Sequence, residues 1–304
     1  IIENLMNCSS KIGKFTVENP FTLRNKHNQD INTSSSDGFA LLHVAAEGGS
    51  LDLVNFLLLN SANVNAQRDD GEAALHIAAC NGHLNVAKAL IQNGADVNCK
   101  TIQGFTPLHN AVISEYETIV RVLLQHGANP NVFVCDGENA YTPLHFAAER
   151  NCNGILCALL EYKANADIPS LTGETPLSLA AKFASLKNVS TLLKHGVDIQ
   201  ASTDRKVSPL HYASARSHIQ ITELLIKSGI NVNSKDVSGK TPLHTAAHYG
   251  DSQKKVLLPC TMLLSTLAQS RLSVYCTRVQ CITLLPMVKK CLCILPKMIK
   301  LCCF

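Results

Sequence analysis

The chain has 304 residues, 46% of them hydrophobic and 16% charged, with no Trp and a net charge of +4. Eight of its 27 Lys and Arg lie after Asp251, where no acid occurs, so residues 1–251 carry a net charge of −4. A mildly acidic body argues against a nucleic-acid footprint, and no basic n-region followed by an apolar run marks a secretory signal. Six of the 13 Cys fall in residues 1–251 without paired spacing. That usage fits a reducing compartment better than a disulfide framework, and a cytoplasmic location is expected.

Residues 1–26 show no clear helix pair. Asp30-Ile31-Asn32 stands 33 residues before Asn63-Val64-Asn65, so residues 1–35 are read as a degenerate or truncated upstream repeat. From residue 36 one motif recurs: ALLH at 40–43, AALH at 73–76, TPLH at 106–109 and 142–145, TPLS at 175–178, SPLH at 208–211 and TPLH at 241–244. Its fourth positions, His43, His76, His109, His145, Ser178, His211 and His244, are 33, 33, 36, 33, 33 and 33 residues apart. A fixed period of this length decides architecture before local propensity does.

Residues 68–100 show the unit best, as turn, helix, tight turn, helix and extended loop. In the fuller copies Thr is the expected N-cap and Pro the first helical residue, where a missing N–H costs nothing. Gly82 and Gly94 are expected to end the two helices with left-handed backbone. Between them Leu84, Val86, Ala87, Leu90 and Ile91 follow helical periodicity. The turn Gly becomes Glu115, Asn151, Ala184 and Ser217 in the middle repeats, which are therefore expected to be locally looser, by about 1 kcal/mol each. The 36-residue gap places three extra residues near Glu138-Asn139-Ala140, predicting a longer hairpin tip.

Chemistry is hard to find. Equivalent positions of stacked units lie roughly 8–10 Å apart, while metal ligands must converge to about 2 Å from one ion. The His column therefore cannot share a metal. His244 and His248, four residues apart, lack a Glu or third ligand at family spacing. No phosphate-binding loop, nucleophile elbow or CxxC pair is present, so no enzyme activity, metal or cofactor is expected.

After Gly250 the pattern fails. Pro259 falls where Ile91 sits, and the Leu/Cys-rich, acid-free residues 252–304 read as an irregular tail, with read-through or a wrong chain end the preferred account. Its longest apolar stretch, Val256–Ala268, contains Pro259 and is short of the ~18–20 residues that span a bilayer. A membrane contact is expected only if this tail or a further domain supplies it. The chain is expected to be a piece of a longer protein.

The seven in-phase copies over 27–251 make the sequence similar to the ankyrin repeat family, with 36–251 as the array. The resemblance implies an all-α solenoid of helix-turn-helix units joined by hairpin-like loops. It implies that each motif His ties its helix start to the neighbouring hairpin. It also implies a scaffold or adaptor that binds a protein or peptide on a concave face, rather than nucleic acid. A cytoplasmic segment of a channel, a toxin or an ankyrin-linked enzyme are the alternatives. Carried over by position, that face holds Phe39, Glu47, Asp69, Asp70, Glu72, Phe105, Tyr141, Glu149, Arg150, Phe183, Arg205, Arg216, Lys240 and Tyr249. Acids gather in repeats one and two and bases in repeats six and seven, so a partner's basic end is expected over the former. Tyr141, Phe183 and Tyr249 are the expected aromatic anchors. Residues 90–98 resemble the segment hydroxylated by asparaginyl hydroxylases. Asn98 is thus a candidate modification site, beside the plainer reading of a turn Asn bonding nearby backbone.

Overall fold

The structure is a computed structural model that describes residues 31–136 and 139–249. The upstream repeat as far as Asp30, the hairpin residue Glu138 and the tail from Asp251 lie outside the described residues. Two compact units divide the chain, residues 1–165 and 166–304.

In the first unit four helix pairs follow one another: α1 Leu41–Glu47 and α2 Leu51–Leu59, α3 Ala74–Cys80 and α4 Leu84–Gln92, α5 Pro107–Ile113 and α6 Glu117–Gln125, α7 Pro143–Glu149 and α8 Asn153–Glu161. First helices pack on first helices and second on second, in chain order. Alanine makes this close stacking work: Ala78, Ala79, Ala147 and Ala148 are fully buried, leaving no room for a larger side chain. The second helices bury one stripe at helical spacing, such as Ile119, Val120 and Leu123 on α6. In the second unit α9 Pro176–Lys182, α10 Leu186–Lys194, α11 Pro209–Ala215, α12 Ile219–Lys227 and α13 Pro242–Tyr249 repeat the arrangement. The extra residues of repeat four form an antiparallel ladder, β1 Val134–Asp136 with β2 Asn139–Tyr141, as the longer hairpin required.

Thr106, Thr142 and Thr175 sit at the N-cap with Pro behind them, as expected. The hydroxyls of Thr106 and Thr142, however, go to the His three residues on. His109 Nδ1 receives both the Thr106 N–H (3.2 Å) and its hydroxyl (2.9 Å), and Nε2 reaches the Val132 carbonyl at 3.1 Å. An N–H can only donate, so Nδ1 is unprotonated and the ring is the neutral Nε2–H tautomer. His43, His76 and His211 make the same pair of contacts, to Ala66, Phe105 and Lys240 carbonyls respectively. Burial, the largest cause, lowers the pKa of all four, that of His109 to about 4. Ser178 keeps only the local half of this bonding. Its hydroxyl accepts from Thr175 N–H at 3.0 Å and donates to the Thr175 carbonyl at 2.8 Å.

A second column holds the loops. Asn98 Oδ1 accepts from Asn129 N–H (2.8 Å) and its Nδ2 donates to the Gly127 carbonyl (3.0 Å). Asn65 does the same one repeat earlier, to Asp96 and Gly94. Gln200 does it in the second unit, to Asn231 and Gly229. These side chains reach into the next repeat rather than into their own turn.

The turn between paired helices is left-handed in every repeat where it is described. Gly49 (φ 65°) and Gly82 (φ 79°) are joined by Glu115 (64°), Asn151 (61°), Ala184 (63°) and Ser217 (57°). Space also explains the two glycines. The next repeat's His83 and Tyr116 rings lie over them, so an added Cβ would stand 2.6 and 2.5 Å from ring atoms. Above Glu115 the ring is replaced by Cys152, whose thiol pKa is pushed up to about 11 by burial and then by the Glu115 carboxylate.

Candidate interaction surface

Hairpin tips and the ends of first helices form the candidate surface in each unit, and backbone bonds between successive tips fix it. Ile102 N–H donates to the Asp70 carbonyl at 2.9 Å in the first unit, and Val237 N–H to the Arg205 carbonyl at 3.0 Å in the second.

In the first unit the acidic group is only partly available. Arg68 pairs with Asp70 (3.0 Å) and Glu72 (2.8 Å), and its guanidinium lies 4.4 Å from the Phe39 ring centroid. Burial pushes the Glu72 carboxyl up despite the Arg68 partner, with Asp70 and Glu47 adding to the rise. Exposed Glu47 and Asp69 carry no ion pair among the described residues. Sequence reasoning missed Arg68, although its spacing from Asp70 and Glu72 within one tight turn was a signal for pairing.

Tyr141 corrects an expectation. It is 9% exposed, stacks on His145 with centroids 5.3 Å apart and meets Phe146 edge-on at 5.6 Å. Its register position packs on the motif His here as at Phe39 and Phe105, and at 9% exposure it is a packing residue and not an exposed anchor. Phe39 and Phe105 are half-buried with edges against His43 and His109. Glu149 is half-buried and Arg150 exposed at the end of α7.

In the second unit Phe183 keeps 38% of its surface exposed. The Lys182 ammonium and Arg216 guanidinium stand 5.6 and 5.8 Å from its ring centroid. Buried Glu174 accepts from Lys182 Nζ (2.8 Å) and from the Tyr212 hydroxyl (3.0 Å). Tyr212 was not among the sequence candidates; it lies four residues before Arg216 on α11. Arg205, Arg216 and Lys240 are exposed. Tyr249 ends α13, and its side chain lies outside the described residues.

Among the described residues no cluster of three or more His, Cys, Asp or Glu is placed to hold a metal. His244 Nδ1 is engaged by the Thr241 N–H (3.3 Å) and hydroxyl (2.8 Å). The described cysteines Cys80, Cys99, Cys135, Cys152 and Cys157 are all free, and burial pushes the Cys99 thiol up to about 12, leaving it unreactive. No described helix is long and apolar enough to cross a membrane.

Comparison with known proteins decides the family. A model of ankyrin repeats (3 copies) matches residues 42–134, 131–203 and 200–260. The chain belongs to the ankyrin repeat family. It is similar to the human ASB11 ankyrin repeat domain, with 32% identity and a TM-score of 0.64 over 73% of this chain and 98% of that one. It is also similar to the ankyrin repeat domain of Bcl-3, a member of the IkappaB protein family, with 27% identity and a TM-score of 0.62 over 75% and 99% of the two chains. No curated protein matches it. Ankyrin repeats are generally protein–protein interaction modules, and their fold names no partner.

Proposed function

We propose that this ankyrin chain is a scaffold or adaptor, without catalysis of its own, that takes a protein partner on its hairpin tips and first-helix ends. One observation carries the reading. Each unit ties its His and loop Asn or Gln columns internally, while Glu47 and Asp69 in one unit and Arg205, Arg216 and Lys240 in the other are exposed without an ion pair among the described residues. Charges left unpaired on a fixed surface steer and select partners. The aromatic Phe183 beside them has the character of an interface anchor.

A basic element of the partner is assigned to Glu47 and Asp69, since Arg68 already occupies Asp70 and Glu72. Charge reversal tests the face. Asp69→Lys and Arg205→Glu in the full chain are expected to weaken retention of the co-purifying partner. Lys88→Glu and Lys187→Glu, on exposed second-helix positions, are expected to leave it unchanged. Equal weakening by both pairs contradicts the assignment.

Asn98 stays a candidate for hydroxylation under this reading. Its side chain spans two repeats, so a modifying enzyme must first open the 98–129 loop contacts, and the reaction is expected to be faster in variants that loosen them.

A further inference from the structure

The second unit holds a surplus of positive charge arranged around one aromatic ring. Phe183 is the C-cap of α9, and its ring is flanked by Lys182 and Arg216 at 5.6 and 5.8 Å. These two cations have different fates. Lys182 is committed inward: its ammonium pairs with Glu174 at 2.8 Å and lies 5.4 Å from the Tyr212 ring centroid. Glu174 in turn accepts the Tyr212 hydroxyl at 3.0 Å, so a buried carboxylate fixes Lys182, the cation beside the Phe183 ring. Burial, then Glu174, raises the Tyr212 pKa, which keeps the phenol a donor.

Arg216 is left outward. It is exposed and has no acidic partner within salt-bridge distance among the described residues, and the same holds for Arg205, Lys206 and Lys240. The acids nearest in sequence, Asp204 and Asp236, are outnumbered by these four cations and pair with none of them within salt-bridge distance among the described residues. Asp236 Oδ1 is occupied by the N–H groups of Ser238 (2.9 Å) and Lys240 (2.8 Å), which leaves Asp204 as the exposed acid of these tips. The face therefore offers a guanidinium without an ion pair, beside an apolar ring whose other cationic neighbour, Lys182, is tied to Glu174. Arg pairs with carboxylates in a planar, two-bond geometry that Lys cannot copy. A half-exposed ring with fixed neighbours loses little entropy on contact.

We infer that the second unit recognises an acidic peptide segment, with a carboxylate on Arg216 and an adjoining apolar or aromatic side chain on Phe183. This rests on the hairpin and first-helix face being the contact surface. The partner chemistry follows from charge complementarity: four cations there stand against two acids and none of the four is in an ion pair among the described residues.

The test uses the full chain and a random-sequence dodecapeptide library as probe. Selected peptides are expected to be enriched in Asp or Glu next to Phe, Tyr, Leu or Ile. Arg216→Glu is expected to weaken a selected peptide about tenfold or more, and Phe183→Ala similarly, with unchanged circular dichroism and thermal midpoint. Replacing the critical peptide Glu by Lys is expected to restore binding to the Arg216→Glu variant. Peptides without acidic bias, no selected peptide at all, or a swap that restores nothing overturns the inference. Its failure is separable from that of the broader reading. If Asp69→Lys weakens partner retention while Lys88→Glu and Lys187→Glu leave it unchanged and the peptide arms fail, the face stands and the acidic specificity falls. If those two variants weaken retention as much as Asp69→Lys, the face itself is wrong.

Discussion

Replacing His109 separates its two roles, because the protein already contains a serine version of the same site. His109 is fully buried, takes the Thr106 N–H on Nδ1 and reaches the Val132 carbonyl through Nε2. In His109→Ser the hydroxyl can repeat what Ser178 does, accepting the N-cap N–H and donating to the N-cap carbonyl. The bond to Val132 is lost, leaving the carbonyl of a half-buried residue short of a partner, at a cost of about 1 kcal/mol. The vacated ring volume adds roughly 1–2 kcal/mol. His109→Ala loses the same bond and volume and also orphans the Thr106 N–H, so it is expected to cost about 1 kcal/mol more than the serine variant. Urea unfolding followed by circular dichroism, with hydrogen exchange at Thr106 and Val134, reads both effects. A serine variant within about 0.5 kcal/mol of the parent, or serine and alanine variants of equal stability, refutes this division of roles.

Acid is expected to destabilise the array. The His109 imidazole titrates near 4 when folded against 6.5 when free. Between these values the unfolded chain binds the extra proton, so stability is intact above about pH 6.5 and falls as pH drops toward 4, by on the order of 3 kcal/mol for this residue. His43, His76 and His211 shift in the same direction. A urea midpoint that stays flat from pH 7 to 4.5 contradicts the neutral column. Ala184→Gly relieves a non-Gly residue at φ 63° and is expected to stabilise by about 1 kcal/mol, whereas Gly82→Ala meets the Tyr116 ring and is expected to destabilise; thermal midpoints moving the other way refute the turn argument. Asn98→Ala removes both links to the next repeat and is expected to cost about 2 kcal/mol, with faster hydrogen exchange at Asn129; unchanged exchange there contradicts the ladder.

Positions set by the 33-residue period were legible in the sequence: the His column, the left-handed turns and the Pro at helix starts follow from one-dimensional phase. Pairings that cross repeats were less so. A turn Asn could bond backbone within its own turn, and sequence alone does not show that Asn129, 31 residues on, donates its N–H to the Asn98 Oδ1. Tyr141 looked like an anchor because its register position was carried over as part of the hairpin tip. That position packs on the motif His in other repeats too, at Phe39 and Phe105, and in repeat four Phe146 closes over it as well. Arg68 was overlooked because a cation inside a run of acids alters little in a charge count, yet it pairs with two of the three acids beside it.

Under the proposed function, partners meet the hairpin tips and first-helix ends. Photo-cross-linking tests it most directly, with a photoreactive residue placed singly at positions 69, 183, 88 and 187 of the full chain in its own cells. Adducts to a partner protein from 69 and 183, with none from 88 and 187, are the result expected. Adducts only from 88 and 187 contradict the account.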